Sequence, residues 1–181
     1  MNLFKRLPTK LLKFQHEVSV DLKKIAEMHE NIKIKLRPHS KEKSLKGDEL
    51  VGSLGEIYGK LLYNGKLVGD TYQHDFEAGD MRVSVKARKG GKKGWVQTSA
   101  IAQKDGEGCP THLLFVHLDD DYRLFEAWLY PWNDILTRIK RKSVRKIDRS
   151  FIFRVNPKGD EEYLVYRRPV KDKGNVPKVG G

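Results

Sequence analysis

The sequence has a single cysteine, Cys109, which excludes a disulfide framework and any zinc site built on cysteines. No apolar run approaches the ~18–20 residues of a membrane-spanning helix, so a helical integral membrane protein is excluded and no membrane partner is expected. The apolar stretch of a signal peptide is missing near Met1, and a reducing cytoplasm is the expected compartment. The six histidines lack chelating spacing. His112 and His117 lie on one predicted strand but an odd number of residues apart, so they face opposite sides and neither reads as a zinc ligand. Acidic residues are the scarcer charge, 24 against 36 Lys+Arg, for a formal net charge of +12. Such a field attracts polyanions, nucleic acid before anionic membrane. At 181 residues and 38% hydrophobic, the chain has the material for one core.

The charge is unevenly spread. Residues 1–46 carry net +7, residues 47–94 net +1, residues 95–136 net −5 and residues 137–181 net +9. An acidic centre in a basic frame suits a protein that grips phosphates at its rims and holds a cation between them. The plainer reading puts the acids in exposed turns, Asp119-Asp120-Asp121 among them. The organisation expected is a basic N-terminal helix and linker over 1–46, a core domain over 47–168 and a flexible tail over 169–181.

Periodicity predicts the elements. Leu11, Leu12, Val18, Leu22, Ile25, Met28 and Ile32 recur at helical steps, which predicts a helix over 9–35. Acids are absent until Glu17, as in a transit peptide, but the later acids favour an ordinary amphipathic helix. A polar linker, Pro38 to Gly47, leads to a helix over 49–63 that Asp48 can cap and Asn64-Gly65 closes. Strands are predicted over 71–77 and 81–88 around Ala78-Gly79-Asp80, a short helix over 95–103, and strands over 111–118 and 122–130. Pro131 opens a helix to about Lys142, and 150–156 with 162–167 reads as a last hairpin. The order predicts an α/β (α+β) domain, a mixed sheet with helices packed on it.

The first hairpin carries the chemistry. Along 81–88, Met81, Val83, Val85 and Ala87 point one way and Arg82, Ser84, Lys86 and Arg88 the other. With an even-numbered loop, Asp75 lies beside Arg82 or Ser84 on the face of Lys86, and the apolar faces of the two strands coincide. A carboxylate, an ammonium and the basic loop RKGGKKG then meet, and Asp75 could take an oxygen-ligated divalent cation. The same residues also describe a plain surface face with a Glu77–Arg82 ion pair. In the helix before it, Glu56 lies nearly opposite the apolar stripe of Leu50, Leu54, Ile57, Tyr58 and Leu61. Gly52, Gly55 and Gly59 form a second stripe, and glycines there imply close backbone approach. A helix seated along that stripe would aim Glu56 at Asp75.

Asp75, eight intervening residues and then Ser84-Val85-Lys86 resembles the PD-(D/E)XK, or restriction-endonuclease-like, nuclease superfamily. The helix with Gly55-Glu56 resembles the acidic helix that this superfamily places before its core hairpin, and the likeness covers about residues 48–130. The resemblance implies a restriction-endonuclease-like core and a phosphodiesterase dependent on Mg2+ or Mn2+. Glu56, Asp75 and the Val85 carbonyl would hold the metal, and Lys86 would assist the attacking water. Two positions depart from the pattern: Ser84 stands where an acidic residue is usual, and His74 stands where a proline precedes the aspartate. A neutral hydroxyl is a weak ligand for a hard cation, so Glu56, Glu77 or Gln97 would have to compensate.

Around this site the loop residues Arg88, Lys89, Lys92 and Lys93, and the cluster containing Arg141, Lys142 and Arg145, are expected to contact a phosphate backbone. RKGGKKG lacks the ending of a phosphate-binding P-loop. Trp95, Trp128 and Trp132 are expected in the core. The function expected is metal-dependent cleavage of nucleic acid, DNA rather than RNA, with a homodimer suited to cutting two strands. The alternatives are a non-catalytic nucleic-acid-binding protein on a nuclease-like fold, and a basic adaptor for RNA or a ribonucleoprotein.

Overall fold

The computed structural model describes residues 7–36, 48–69, 71–90, 96, 101–102, 108–141 and 150–169. The expected linker over 38–47, the tail beyond Pro169, Trp95 and Gln97 lie outside the described residues. Helix α1 runs Thr9–Leu36 and helix α2 runs Asp48–Tyr63. Asn64 ends α2 with a φ of 51°, and the Gly65 N–H donates to the Lys60 carbonyl at 2.8 Å. This is the left-handed helix end that Asn and Gly tolerate. Only part of the predicted α1 stripe is used. Leu11 and Leu22 are buried, with Phe14 and Val18 packed beside them, whereas Leu12, Ile25 and Met28 stay exposed. The basic N-terminal helix thus shares one core cluster with α2 and the sheet.

The strands are β1 (Lys66–Leu67), β2 (Phe76–Ala78), β3 (Met81–Lys89), β4 (Ile101–Ala102), β5 (His112–Leu118), β6 (Leu124–Pro131), β7 (Ser150–Phe151) and β8 (Leu164–Arg167). The main sheet has six strands in the order β1-β2-β3-β5-β6-β8. β3 and β5 are parallel, and every other neighbouring pair is antiparallel. β4 and β7 form a separate two-stranded sheet. Pro131 closes β6, and helix α3 (Trp132–Arg141) follows at once.

The central strand β5, HLLFVHL, is apolar almost throughout because both its faces are covered. Leu114, Val116 and Leu118 join Val83, Val85, Leu54 and Tyr58 in the core beneath α1 and α2. Leu113 and Phe115 join Trp128, Trp132, Ile135 and Phe153 in the core beneath α3 and the small sheet. The architecture is therefore an α/β mixed sheet between two covering layers, and Trp128 and Trp132 fill the core as expected.

Three boundaries differ from the sequence reading. Residues 71–75 form a turn, not a strand: the Tyr72 N–H bonds the Gly69 carbonyl at 3.1 Å, and the short β1 takes up the outer edge of β2. Ile101–Ala102 is a strand paired with β7, where a helix was expected; the other residues of 95–103 except Val96 lie outside the described residues. The last hairpin does not form. β8 pairs with β6, because the buried Asp160 carboxylate pins the intervening turn. It accepts hydrogen bonds from the Asn156 N–H at 2.8 Å, Tyr130 at 3.0 Å and Arg138 at 2.8 and 3.0 Å.

Candidate functional site

β2 and β3 join through Gly79-Asp80, an even-numbered loop, and the register pairs Phe76 with Val83, Glu77 with Arg82 and Ala78 with Met81. β2 is too short to cover β3, so no β2 residue pairs with β3 beyond Val83. Asp75 fills the gap. Its N–H donates to the Val83 carbonyl at 2.9 Å, and its Oδ2 accepts from the Val85 N–H at 2.5 Å and from Ser84 Oγ at 3.3 Å. The carboxylate takes the amide donor that a longer β2 would have taken. Alternation along β3 sends the Arg82 N–H and carbonyl toward Thr111, at the start of β5. The Val85 N–H and carbonyl therefore leave β3 on the edge where Asp75 sits.

Ser84 and Lys86 share a face of β3, and the Ser84 contact places the Asp75 carboxylate on it. Lys86 is half-buried, and among the described residues it makes no ion pair. Ser84 is buried, so the hydroxyl in the departed acidic position is enclosed and turned to Asp75.

Glu56 belongs to α2, which covers the opposite face of the sheet. α2 lies on the sheet through Gly55 and Gly59. A Cβ at Gly55 would stand 2.5 Å from the Ala87 Cβ, and one at Gly59 would stand 2.8 Å from Leu114 and Phe76. Gly52 has open space and takes no part in the seat. On one side of α2, Tyr58 sends its hydroxyl to the Tyr122 carbonyl at 2.8 Å. Burial and the Asp119 carboxylate push that phenol up to about 12. On the other side Tyr63 stacks on Phe76 of β2. Glu56 lies two turns before Tyr63 and so shares its side of the helix. Gly55 itself lies over Ala87 and Val85 of β3, so Glu56 starts from the helix turn nearest that strand. Glu56 is half-buried and has an interaction partner of its own.

Among the described residues no three His, Cys, Asp or Glu side chains form a group able to hold a metal. The oxygen donors are the Asp75 carboxylate and the Val85 carbonyl at the β3 edge, with the Glu56 carboxylate on α2 as the expected third. Mg2+ commonly takes one or two carboxylates and completes its shell with water and phosphate oxygens, so this oxygen set fits it in kind.

The Glu77–Arg82 ion pair of the plain surface reading is absent among the described residues, although the two are register partners. Glu77 Oε1 lies 3.0 Å from Nε2 of the buried His74, and Arg82 Nε donates to the Cys109 carbonyl at 3.0 Å. Of the expected phosphate-contacting residues, Arg88 continues the Lys86 face, and Lys89 Nζ stands 3.7 Å over the Tyr122 ring. Lys92, Lys93, Lys142 and Arg145 lie outside the described residues; Arg141 ends α3, and its side chain also lies outside them. Behind the basic loop, His117 Nε2 donates to the Gly90 carbonyl at 2.7 Å, and Arg167 Nε donates to Glu126 at 2.7 Å. Burial raises the Glu126 carboxyl, but the nearby His117 ring, its Nδ1 3.6 Å away, and the hydrogen bond from Arg167 outweigh it and hold the group below its ordinary value.

Sequence reasoning missed a pocket of about 380 Å³ where β3 and β5 begin and α3 starts. Arg82, Thr111, His112 and Asn133 supply its polar lining. No periodicity could have disclosed it, because it joins residues far apart in the chain. No protein-family model matches the chain, and no curated protein sequence does so either.

Proposed function

We propose that the protein is a divalent-metal-dependent nuclease that hydrolyses phosphodiester bonds in DNA, on a restriction-endonuclease-like core. One observation carries the reading. The Asp75 carboxylate sits at Val85 on an edge of β3 that no described strand covers there, on the face that presents Lys86. Asp75, Glu56 and the Val85 carbonyl would hold Mg2+, which polarises a phosphate oxygen and makes bound water more acidic when present. Lys86 places a positive charge beside the reacting phosphate, where charge develops. Ser84 fixes the Asp75 carboxylate. Arg88 and the basic loop hold the phosphate backbone, and their attraction weakens steeply with salt.

A second reading, a non-catalytic nucleic-acid-binding protein, is favoured by a different observation. Oδ2 of Asp75 already accepts two hydrogen bonds, and the neutral Ser84 leaves the site one charge short. Cleavage of plasmid DNA in Mg2+ and Mn2+ separates the two. The nuclease reading expects cleavage by the wild type and a loss of about 100-fold or more in Asp75→Asn and in Lys86→Ala. DNA affinity in chelator should be kept by Asp75→Asn, and calorimetric Mg2+ binding should be lost. Wild-type protein that binds DNA but neither cleaves it nor takes up Mg2+ would establish the second reading.

A further inference from the structure

Tyr72 has the most exposed aromatic ring among the described side chains, at 58%. The other large rings near the sheet, such as Phe76, Phe115 and Trp128, are buried. The Tyr72 ring is open but not loose. Its backbone N–H donates to the Gly69 carbonyl at 3.1 Å, and its ring packs edge-on against His74, with centroids 5.5 Å apart and planes at 66°. His74 is 5% exposed, and its Nε2 lies 3.0 Å from Glu77 Oε1, so the support behind Tyr72 is itself fixed. A large ring left in water and held from behind gains little from burial. It does suit a contact surface, because a side chain already held in place loses little freedom when a partner covers it.

This support stands at the Asp75 edge. Glu77 is the register partner of Arg82, so it shares the face of Ser84 and Lys86, on which Ser84 Oγ donates to Asp75. Tyr72 is three residues from Asp75, which keeps their Cα atoms within about 11 Å. A strand covers that distance in about three nucleotides at a rise of about 3.4 Å each. A phosphate at Asp75 and a base at Tyr72 can therefore belong to one short stretch of the same strand. The two places offer different chemistry. Lys86 and Arg88 carry the charge that a phosphate needs, whereas the face of Tyr72 offers a base a stacking partner. A base inside a duplex is already stacked on its neighbours, so the one that reaches Tyr72 is unpaired.

We infer that Tyr72 is a stacking platform for an unpaired nucleobase of the strand held at the Asp75 edge, so that the nucleic acid taken there is single-stranded or frayed. The inference rests on the nucleic-acid reading of this site but not on cleavage.

The test is fluorescence anisotropy on the full chain at low salt in chelator. The probes are a thymidine strand of about 12 nucleotides, the same backbone with abasic sites throughout, and a blunt duplex of the same length. Tyr72→Ala should weaken binding of the thymidine strand about fivefold or more, and should change binding of the abasic strand and the duplex by less than about twofold. Tyr72→Phe keeps the ring and should stay within about twofold of wild type on all three probes. Because Tyr72 is exposed, Tyr72→Ala should keep the wild-type urea midpoint. The inference is overturned if Tyr72→Ala binds the thymidine strand as the wild type does, or if it loses the abasic strand or the duplex to the same extent. Unchanged binding by Tyr72→Ala beside Asp75-dependent cleavage removes the platform alone. Wild type that leaves DNA intact in Mg2+, with the thymidine strand still dependent on Tyr72, removes the nuclease and keeps the platform. Wild type that binds no strand removes both.

Discussion

Replacing two glycines of α2 by alanine measures how the helix is seated, and with it the placement of Glu56. At both positions alanine raises helix propensity by about 1 kcal/mol. At Gly52 nothing opposes the change, since a Cβ there meets no atom within 4 Å, so Gly52→Ala should stabilise the protein by about 1 kcal/mol. At Gly55 the new Cβ would stand 2.5 Å from the Cβ of Ala87, an atom fixed to its backbone. Carbon atoms settle at about 3.5–4.0 Å, so α2 must withdraw by about 1 Å or more. Overpacking of this kind costs about 1–3 kcal/mol, and the propensity gain offsets only part of it. Because that gain is common to both variants, their difference isolates the clash at about 1–3 kcal/mol. With a urea m-value of about 2 kcal/mol/M, the two unfolding midpoints should separate by about 0.5–1.5 M, Gly55→Ala being the lower. If Glu56 helps hold Mg2+, Gly55→Ala should also weaken Mg2+ binding while Gly52→Ala leaves it intact. Coincident midpoints would refute the seat at Ala87 and remove the argument that places Glu56 on the helix turn nearest β3.

Ser84→Glu sets a second carboxylate against Asp75 in a buried position; it should cost about 2–4 kcal/mol without metal, and Mg2+ should restore most of the loss. Thermal melts with and without Mg2+ check this, and an equal loss in both would count against a metal at this edge. Asp160→Ala strands Arg138, Tyr130 and the Asn156 N–H, and should cost about 3–5 kcal/mol by chemical denaturation; a loss under about 1 kcal/mol would contradict its role as the pin of the last turn. Stability should fall as pH falls, in two stages, read as urea midpoints from about pH 7.5 to about 2.5. Burial lowers the His112 pKa from 6.5, so below about pH 6.5 the unfolded chain takes up that proton first. Glu126 is held below its ordinary value of 4.5, so its contribution is present above that value and is lost as pH falls through the lower folded value. His112→Gln should flatten the upper stage only.

Local pattern was enough for the elements that depend on local physics. The three-four spacing in α1 and α2, the Asn64-Gly65 stop and the apolar runs of β5 and β6 are each legible, because periodicity reports burial directly. Strand parity was legible as well: once the loop is Gly79-Asp80, alternation alone puts Ser84 and Lys86 on one face, and Ser84 bonds Asp75 there. The glycine stripe foretold a close helix contact, but only tertiary packing distinguishes Gly55 and Gly59, which touch the sheet, from Gly52, which does not. What sequence could not supply is every contact made over a long separation. The Asp75 carboxylate replaces a strand at Val85, and the buried Asp160 carboxylate redirects β8 to β6; in each case one acid satisfies a backbone donor that a strand partner would otherwise have taken. Arg82 shows the same limit, since its register partner Glu77 turns to His74, and Arg82 is left to line a pocket whose other walls begin 27 residues later. Local pattern specifies which face a side chain takes, whereas the partner it meets there depends on which distant segment the fold brings alongside.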